Sequence, residues 1–552
     1  MESTTPSRSY SKLSNAVVSD IELDSNSSTS NLLPSEELHF EDLNGHVSYL
    51  LDLKELPQGR HLGLYSTIVL FVSRILGSGI FSISSGIYQD CGHSGVLFFS
   101  AWIIGAVASF SGLYVFMELG SILPRNGGTK VFLEFIYEKP KYLASVAFLL
   151  YSLIFGFTIS NCLVFGEYFL HSLGIETSDK RSRYTGLVFL YIAASIHGLS
   201  VGHGIHVQNI MGGLKLLLLL VMVATGIYLI VFPSTVTGIE SNIHFDDFFK
   251  VKKDASVSTF ASAIIKSSFA FGGWNSVHTV SSEIKDPIRT LKIAGPVSLA
   301  IITVTYLITN WAYLLVIPEK ELANSGKLVG SIFFEKVFGY RIGKQFLTFA
   351  VAICAGGNIF VVIYTISRVS QEVFREGYFP FSRFMASNWP FDAPLPVLIL
   401  SCLLTTVVII FTPGGDIYNY VIALEGYPLQ FFICLTAAGI FIIRKRYPEY
   451  RAPIRTTLTG AALVILIGLY LLISPLITSS SPNPKGTESW PSYAIIAIIC
   501  LAFCVLYWVV MFKLFPWLLG YSLKPEEDQL SDGLRMRKWV KVYNNLPHLD
   551  VS

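Results

Sequence analysis

Long apolar runs recur along this 552-residue chain, and they limit the folds that it can adopt. Hydrophobic residues make up 52% of the sequence and charged residues 14%, whereas soluble domains carry about 25% charged residues. A membrane-spanning helix needs about 20 apolar residues and pairs all of its own backbone polar groups. Twelve runs approach or exceed this length: 63–88, 95–122, 142–170, 185–202, 208–232, 256–281, 293–317, 344–367, 395–411, 416–443, 457–478 and 491–515. The sequence therefore predicts an all-α integral membrane protein with twelve transmembrane helices.

The two ends of the chain differ from this middle part. Residues 1–60 are Ser-rich and polar, so we expect a disordered N-terminal tail. Residues 61–515 form the predicted twelve-span domain, and 516–552 form a C-terminal tail that we expect to be largely unstructured. Because twelve is even, both tails lie on the same side. The basic cluster 444–446 adjoins the end of a span, which favours the cytoplasm for both.

Glycines interrupt two of the apolar runs, in the first and the sixth predicted spans. The first reads Ser-Arg-Ile-Leu-Gly-Ser-Gly-Ile-Phe over 73–81, and the other reads Phe-Ala-Phe-Gly-Gly-Trp-Asn over 269–275. Glycine costs a helix interior about 1 kcal/mol, and unpaired backbone inside a membrane is tolerated only where it lines a cavity or is buried in protein. Such a pair of interrupted spans indicates the binding site of a secondary transporter. The alternative is that these glycines only let helices pack closely.

Unwound helices would offer polar backbone groups to a ligand. The amides of Gly77, Ser78 and Gly79 suit a carboxylate, because the N-terminal end of a helix carries partial positive charge. Carbonyl groups near Phe269 and Ala270 would accept hydrogen bonds from an ammonium group. A zwitterionic amino acid carries both groups on one carbon atom, and we therefore expect an amino acid as the ligand.

Four stretches of the sequence resemble those of one transporter superfamily. Residues 76–81 resemble the first-span signature of the amino acid–polyamine–organocation (APC) transporters, and 269–275 resemble the sixth-span signature of their L-type amino acid transporter branch. Residues 118–128 are similar to the end of the second span and the loop that follows it. Residues 283–289 are similar to the loop after the sixth span.

The resemblance implies a LeuT-like architecture and a set of binding residues. Spans 1–5 and 6–10 would form a five-plus-five inverted repeat with unwound first and sixth spans, and the site would work by alternating access. Phe269 would be the aromatic gate over the substrate. The substrate-binding residues implied by position are Leu76, Gly77, Ser78, Gly79, Phe269, Ala270, Gly272 and Asn275.

One departure from the L-type pattern bears on partners and substrate. The loop at 171–184 contains no Cys, so we expect no disulfide-linked heavy chain. With the Ser-rich tail, this resembles the fungal high-affinity methionine permeases, which implies import of L-methionine, and of cysteine or related thioethers, across the plasma membrane. A broad-specificity neutral amino acid permease or exchanger is the alternative. A nutrient transceptor, which binds a ligand in order to signal, is an alternative of a different class.

Charged residues inside apolar runs are expensive to bury and are candidates for function. For ion or proton coupling the candidates are Lys215, Glu118 and Glu425, and for gating they are Arg74, Glu283 and Arg289. In related transporters, a lysine at the position of Lys215 sits behind the unwound first span, where sodium-coupled relatives hold an ion. A positive charge there would replace that ion, so we expect proton coupling or exchange and not sodium coupling. Lys215 and Arg74 could instead reach back to the membrane surface, and Glu118 and Glu425 could simply pair with cations.

The sequence favours neither an enzyme nor a cofactor-dependent protein. It contains no phosphate-binding Gly-x-x-x-x-Gly-Lys-Ser/Thr motif, no metal-ligand spacing and no basic patch for nucleic acid. The expected partners are an amino acid, protons and the lipid bilayer. Ubiquitin-ligase adaptors are candidate partners of the tails, where Lys12 and Lys54 could accept ubiquitin.

Overall fold

A computed structural model of the chain describes residues 63–77, 79–123, 128–243, 245–251, 255–274, 284, 286–391, 393–412, 417–448, 451–477, 490–530 and 535–543. The predicted N-terminal tail lies outside the described residues, with Lys12 and Lys54. Three predicted site residues, Ser78, Asn275 and Glu283, also lie outside them.

Helices make up most of the described structure. In chain order they are α1 Leu64–Ile75, α2 Gly79–Ser82, α3 Ser84–Asp90, α4 Gly95–Ile122, α5 Thr129–Ile136, α6 Leu143–Ile154, α7 Ile159–Ser172, α8 Asp179–Leu199, α9 Val201–Val231, α10 Ser234–Thr237, α11 Phe245–Phe248, α12 Val257–Ala270, α13 Pro287–Val316, α14 Glu319–Asn324, α15 Val329–Gly339, α16 Thr348–Arg375, α17 Ser382–Met385, α18 Leu395–Phe411, α19 Ile417–Arg446, α20 Leu458–Ile477, α21 Tyr493–Val509 and α22 Phe515–Leu519. Gly326–Leu328 is a 3₁₀-helix, and Tyr340–Leu347 and Val510–Leu514 are π-helices.

These helices are those of a membrane protein. Within the described ranges, nine helical segments are long and apolar enough to cross a bilayer. Leu395–Phe411 is a further apolar helix, shorter than these nine. Both Gly95–Ile122 and Leu395–Phe411 coincide with predicted runs. The prediction of a predominantly helical membrane protein is confirmed, and the count of twelve spans stays a prediction.

Small residues let neighbouring helices approach each other closely. A Cβ atom added at Gly166 in α7 would lie 1.9 Å from the carbonyl oxygen of Ser182 in α8. One added at Gly186 in α8 would lie 2.2 Å from the carbonyl oxygen of Cys162 in α7. Glycine is required at both positions because the two backbones touch there. Outside the two interrupted motifs, glycines of this chain therefore serve close helix packing.

The expectation of a largely unstructured C-terminal tail is wrong for its described part. Strands β1 (Tyr521–Gln529) and β2 (Arg535–Tyr543) pair antiparallel, with Tyr521 opposite Tyr543 and Gln529 opposite Arg535. Leu530 and Met536 are buried in a cluster with apolar side chains of the helices. The tail therefore adds a small β-hairpin to a fold predicted to be all-α. Contacts with side chains of the helices hold this hairpin in place.

Glu376, which directly follows α16, is the centre of this attachment. Its carboxylate pairs with Lys130 Nζ at 2.6 Å and with Arg537 Nη1 at 3.1 Å, and its carbonyl oxygen accepts a hydrogen bond from Trp539 Nε1 at 3.0 Å. Burial lowers the pKa of Lys130, but the carboxylates of Glu376 and Glu134 outweigh it, so this pKa lies above its ordinary value. One acidic residue therefore joins α5, the end of α16 and the hairpin.

Candidate substrate-binding site

The first predicted span is broken where its glycines indicated. Helix α1 ends at Ile75, and α2 begins at Gly79. Leu76 has extended backbone (φ −68°, ψ 91°), and its amide donates to the carbonyl of Val72. A Cβ atom added at Gly79 would lie 3.3 Å from both Cα and Cβ of Ala270. The first break and the end of α12 therefore meet at Gly79 and Ala270.

The helix of the sixth predicted span ends at the motif that contains Phe269. Helix α12 ends at Ala270, and the amide of Gly272 donates to the carbonyl oxygen of Phe269 at 2.9 Å. Gly273 has a φ of +107°, and a Cβ atom there would lie 3.0 Å from the carbonyl oxygen of Arg74. Glycine is needed at 273 for its backbone angle and for this close approach to the first span.

One tyrosine that was not predicted as a site residue joins the first break to the end of α12. The hydroxyl of Tyr306, in α13, lies 2.9 Å from the carbonyl oxygen of Ala270 and 3.3 Å from that of Ile75. These carbonyls belong to the last residues of α12 and α1, where a helix leaves its acceptors unpaired. The signal was a tyrosine within an apolar run, because a buried hydroxyl needs a polar partner.

A third interruption, in the predicted span at 142–170, was not expected. Helix α6 ends at Ile154 and α7 begins at Ile159. Ser401 Oγ in α18 donates to the carbonyl oxygen of Gly156 at 2.7 Å, and the amide of Thr158 donates to Thr405 Oγ1 at 3.4 Å. Two hydroxyls of one neighbouring helix thus satisfy backbone groups that this break sets free.

A cavity of about 400 Å³ lies where these interrupted helices meet. Five predicted binding residues line it, and Leu76, which is fully buried, does not. The lining includes Gly77, Gly79, Phe269, Ala270 and Gly272 from the predicted set, the polar residues Arg74, Thr158, Asn161, Ser268, Asn358, Thr365 and Glu425, and the aromatic and aliphatic residues Tyr151, Phe155, Phe157, Ile265, Leu429 and Val464.

Three polar atoms of the cavity lining find no hydrogen-bond partner within the part of the chain that the structure describes. They are Asn358 Nδ2, Ser268 Oγ and Glu425 Oε1. Buried polar groups are almost always hydrogen-bonded, since an unpaired one costs about 1–3 kcal/mol. The set contains both a donor and an acceptor. A small ligand with donors and acceptors of its own would therefore satisfy this cavity.

Lys215 is directed into the interior of the protein. Its Nζ donates to the carbonyl oxygen of Ser73 at 2.8 Å and to Asn358 Oδ1 at 2.6 Å, and the residue is only 3% exposed. The alternative that Lys215 reaches back to the surface is therefore wrong. The ammonium group joins α9, α1 and α16 directly behind the first break. Arg74 Nη1, in the same region, donates to Thr365 Oγ1 of α16 at 2.6 Å.

The other charged candidates have different surroundings. The carboxylate of Glu118 pairs with Arg444 at 2.7 Å and accepts the amide of Thr456, also at 2.7 Å, so it makes the cation pair that was the alternative to a proton path. Glu425 lines the cavity, as above. Arg289 lies exposed in the first turn of α13 and is not part of the cavity lining.

A buried ion pair was overlooked in the sequence. Lys266 Nζ lies 2.6 Å from Asp90 Oδ2, and the Lys266 side chain is 2% exposed. Lys266 lies in α12 one turn before Ala270, and Asp90 is the last residue of α3. A lysine inside an apolar run was the available signal. The pair joins α12 to α3, which follows the first break, whereas Lys215 contacts α1, which precedes it.

Interrupted helices around a ligand-sized cavity define this chain as a membrane transport protein. A model of the amino acid permease family matches residues 62–504, and the chain belongs to that family. It is 44% identical over 490 residues to the low-affinity methionine permease of Saccharomyces cerevisiae, which covers 88% of this chain and 89% of the relative. The high-affinity methionine permease of the same yeast is 33% identical over 499 residues, with 89% and 86% covered. The large neutral amino acids transporter small subunit 2 of Oryctolagus cuniculus is 27% identical over 424 residues, with 76% of each chain covered.

These comparisons confirm the resemblance to the APC superfamily and to its methionine permease and L-type members. The relatives are permeases and transporters and not enzymes. With several helices that can cross a bilayer, the chain is a multi-pass membrane protein.

Tyr306→Phe is expected to lower amino acid uptake about tenfold. The change removes the hydroxyl that contacts the carbonyls of Ile75 and Ala270, and a buried acceptor left unpaired costs about 1–3 kcal/mol. Initial uptake rates per molecule at the cell surface measure the effect. Tyr228→Phe is the control. Tyr228 is 42% exposed in α9, so loss of its hydroxyl should leave uptake unchanged. Equal uptake by the two variants would contradict the bridging role of Tyr306.

Proposed function

We propose that this protein is a secondary active transporter that imports amino acids across the plasma membrane, with L-methionine as its main substrate. Alternating access around the described cavity moves the substrate. The similarity to the low-affinity methionine permease of Saccharomyces cerevisiae along 88% of the chain carries the proposal. Cysteine and related thioethers are further substrates under this proposal.

The chemistry of the cavity supports an amino acid with an apolar side chain. Backbone at Gly77 and Gly79 and the unpaired Asn358 Nδ2 offer donors, and Glu425 offers an acceptor. Aromatic and aliphatic side chains form the remaining walls, among them the half-buried Phe269. Methionine is flexible and polarisable, and it fits irregular apolar space. About 400 Å³ lies within the common size range of small-molecule sites.

The proposed topology has twelve spans with both tails in the cytoplasm. Three helices would add to the nine long apolar segments: Asp179–Leu199, Val257–Ala270 and Leu395–Phe411. Spans 1–5 and 6–10 would form the inverted repeat, with the first and the sixth unwound. The basic residues at the end of α19 favour the cytoplasm for that end. No disulfide-linked partner is proposed, whereas ubiquitin-ligase adaptors are proposed for the tails.

Protons are the proposed coupling ion. The Lys215 ammonium group lies behind the first break, where it joins Ser73 and Asn358. A positive charge there substitutes for the sodium ion that a sodium-coupled carrier needs. Glu425 is the second coupling candidate, because its carboxylate lines the substrate cavity without a partner among the described residues. Phe269 is proposed as a gate over the substrate.

Uptake of radiolabelled L-methionine in permease-deficient cells tests this function. We expect saturable uptake that is higher at pH 5 than at pH 7.5, because a symported proton is more available outside at the lower pH. Excess unlabelled methionine should abolish uptake, and leucine or phenylalanine should have little effect. Equal suppression by leucine would replace methionine selectivity with broad neutral amino acid transport. Binding without any flux would favour a transceptor.

A further inference from the structure

Asn358 occupies a distinctive position between the buried lysine and the cavity. It lies in α16 and is only 7% exposed. Its Oδ1 atom accepts a hydrogen bond from Lys215 Nζ at 2.6 Å. Its Nδ2 atom finds no partner among the described residues, and Asn358 lines the cavity. An ideal Cβ atom on Gly77 would lie 3.6 Å from this Nδ2. The free donor of the amide therefore faces the first break.

Lys215 determines which end of this amide faces the cavity. An ammonium group has three donors and no acceptor, so only an acceptor can lie 2.6 Å from it. The Oδ1 atom must therefore face Lys215, which leaves the Nδ2 donor on the side of Gly77. The second contact of the ammonium group, to the carbonyl oxygen of Ser73 at 2.8 Å, holds it in place. The orientation of the amide is thus set by a charge that does not itself line the cavity.

We propose that Asn358 Nδ2 donates a hydrogen bond to the carboxylate of the bound amino acid, with Lys215 as the positioning residue that orients the amide. This inference rests on the proposed amino acid transport function and assigns a side chain to the recognition of one end of the substrate. The carboxylate would satisfy a donor that the described residues leave unpaired. Two cations add a favourable potential, since Lys215 touches Asn358 and Arg74 lines the same cavity.

Two ligands that differ in the carboxylate separate this role from a general structural one. L-Methionine carries the carboxylate, and L-methioninol replaces it with a hydroxymethyl group and keeps the ammonium group and the thioether. Dissociation constants of both are measured by calorimetry on the purified full-length protein in lipid nanodiscs. We expect Asn358→Ala to weaken methionine binding about tenfold or more, because a hydrogen bond to a charged group contributes about 1.5–3 kcal/mol. Methioninol affinity should change less than about twofold.

Asn358→Asp is the sharper variant. It keeps the size of the side chain and an oxygen for Lys215, but it places an acceptor where the donor was. We expect a larger loss of methionine affinity than in Asn358→Ala and again little change for methioninol. If Asn358→Ala fails to fold, as size-exclusion chromatography would reveal, this isosteric variant still provides the comparison.

Asn161→Ala is the matched control, because Asn161 also lines the cavity but lies in α7. It should change the two affinities by similar factors. If the Asn358 variants weaken both ligands equally, Asn358 does not bind the carboxylate and the inference is overturned, while the transport function stands. If the wild-type protein binds no amino acid, the proposed function fails and this inference fails with it. That result is recognised from the wild-type protein alone.

Discussion

Gly79→Val is expected to abolish amino acid uptake in protein that still reaches the cell surface. A Cβ atom at 79 would lie 3.3 Å from Cα and Cβ of Ala270, and the two branches of valine would extend beyond that contact. The first and sixth spans would have to separate where they meet, and the cavity between them would change shape. We expect a loss of at least about 100-fold, because overpacking costs about 1–3 kcal/mol and the distorted backbone belongs to the site itself.

The control for this variant is Gly63→Val. Gly63 immediately precedes α1, and a Cβ atom there meets nothing within 4 Å. Its uptake per surface molecule should equal that of the wild-type protein. Gly79→Ala should be intermediate, because its single Cβ atom needs only a small shift of Ala270. Normal uptake by correctly localised Gly79→Val would show that the first break is not part of the substrate-binding site.

Glu118→Ala is expected to have the largest effect on stability. The Glu118 side chain is 4% exposed and that of its partner Arg444 is 17% exposed. The change would leave the Arg444 guanidinium without its carboxylate and the amide of Thr456 without its acceptor. Removing one partner of a buried ion pair costs about 3–5 kcal/mol. The apparent melting midpoint of detergent-solubilised protein, followed by fluorescence-detected size-exclusion chromatography, should fall by several degrees or more.

Glu138→Ala provides the comparison for Glu118. Glu138 pairs with Arg446, but these side chains are 55% and 33% exposed, and such pairs contribute about 0–1 kcal/mol. Its melting midpoint should match that of the wild-type protein. The double variant Glu118→Leu with Arg444→Met should recover much of the loss, because it leaves no charge unpaired. Equal midpoints for the two alanine variants would contradict a stabilising role for the buried pair.

The sequence was informative where the structural cause was local. Glycines at 77, 79, 272 and 273 marked the ends of α1 and α12 because glycine disfavours a helix interior whatever its distant neighbours are. The polar partners of the breaks could not be predicted in this way. Tyr306 is 36 residues from the carbonyl that it contacts at Ala270, and Ser401 is 245 residues from Gly156. A break without a strong glycine motif, as at 155–158, therefore went unrecognised.

The same limit applies to the charged residues, because the sequence reveals where they lie in the chain but not which distant residues they contact. Their presence in apolar runs made them candidates for function, but only the fold decides which partner each one meets. Glu118 meets a cation in α19, Lys215 meets an amide in α16, and Glu425 faces the cavity. Lys266 finds its carboxylate 176 residues away in the chain. A list of intramembrane charges thus contains both stabilising pairs and site residues, and the sequence alone does not separate them.

The hairpin that follows the last helix moves the end of the folded body well past residue 515. Leu530 and Met536 cover apolar side chains that include Tyr378 and Phe379, and Trp539 stacks on Tyr378 with ring centroids 5.4 Å apart. A protein cut after Gly520 would expose these groups to water and would leave Glu376 without two of its three partners. Shortened versions and fusion tags should therefore leave 521–543 intact, even though their charge-rich sequence looks like a dispensable tail.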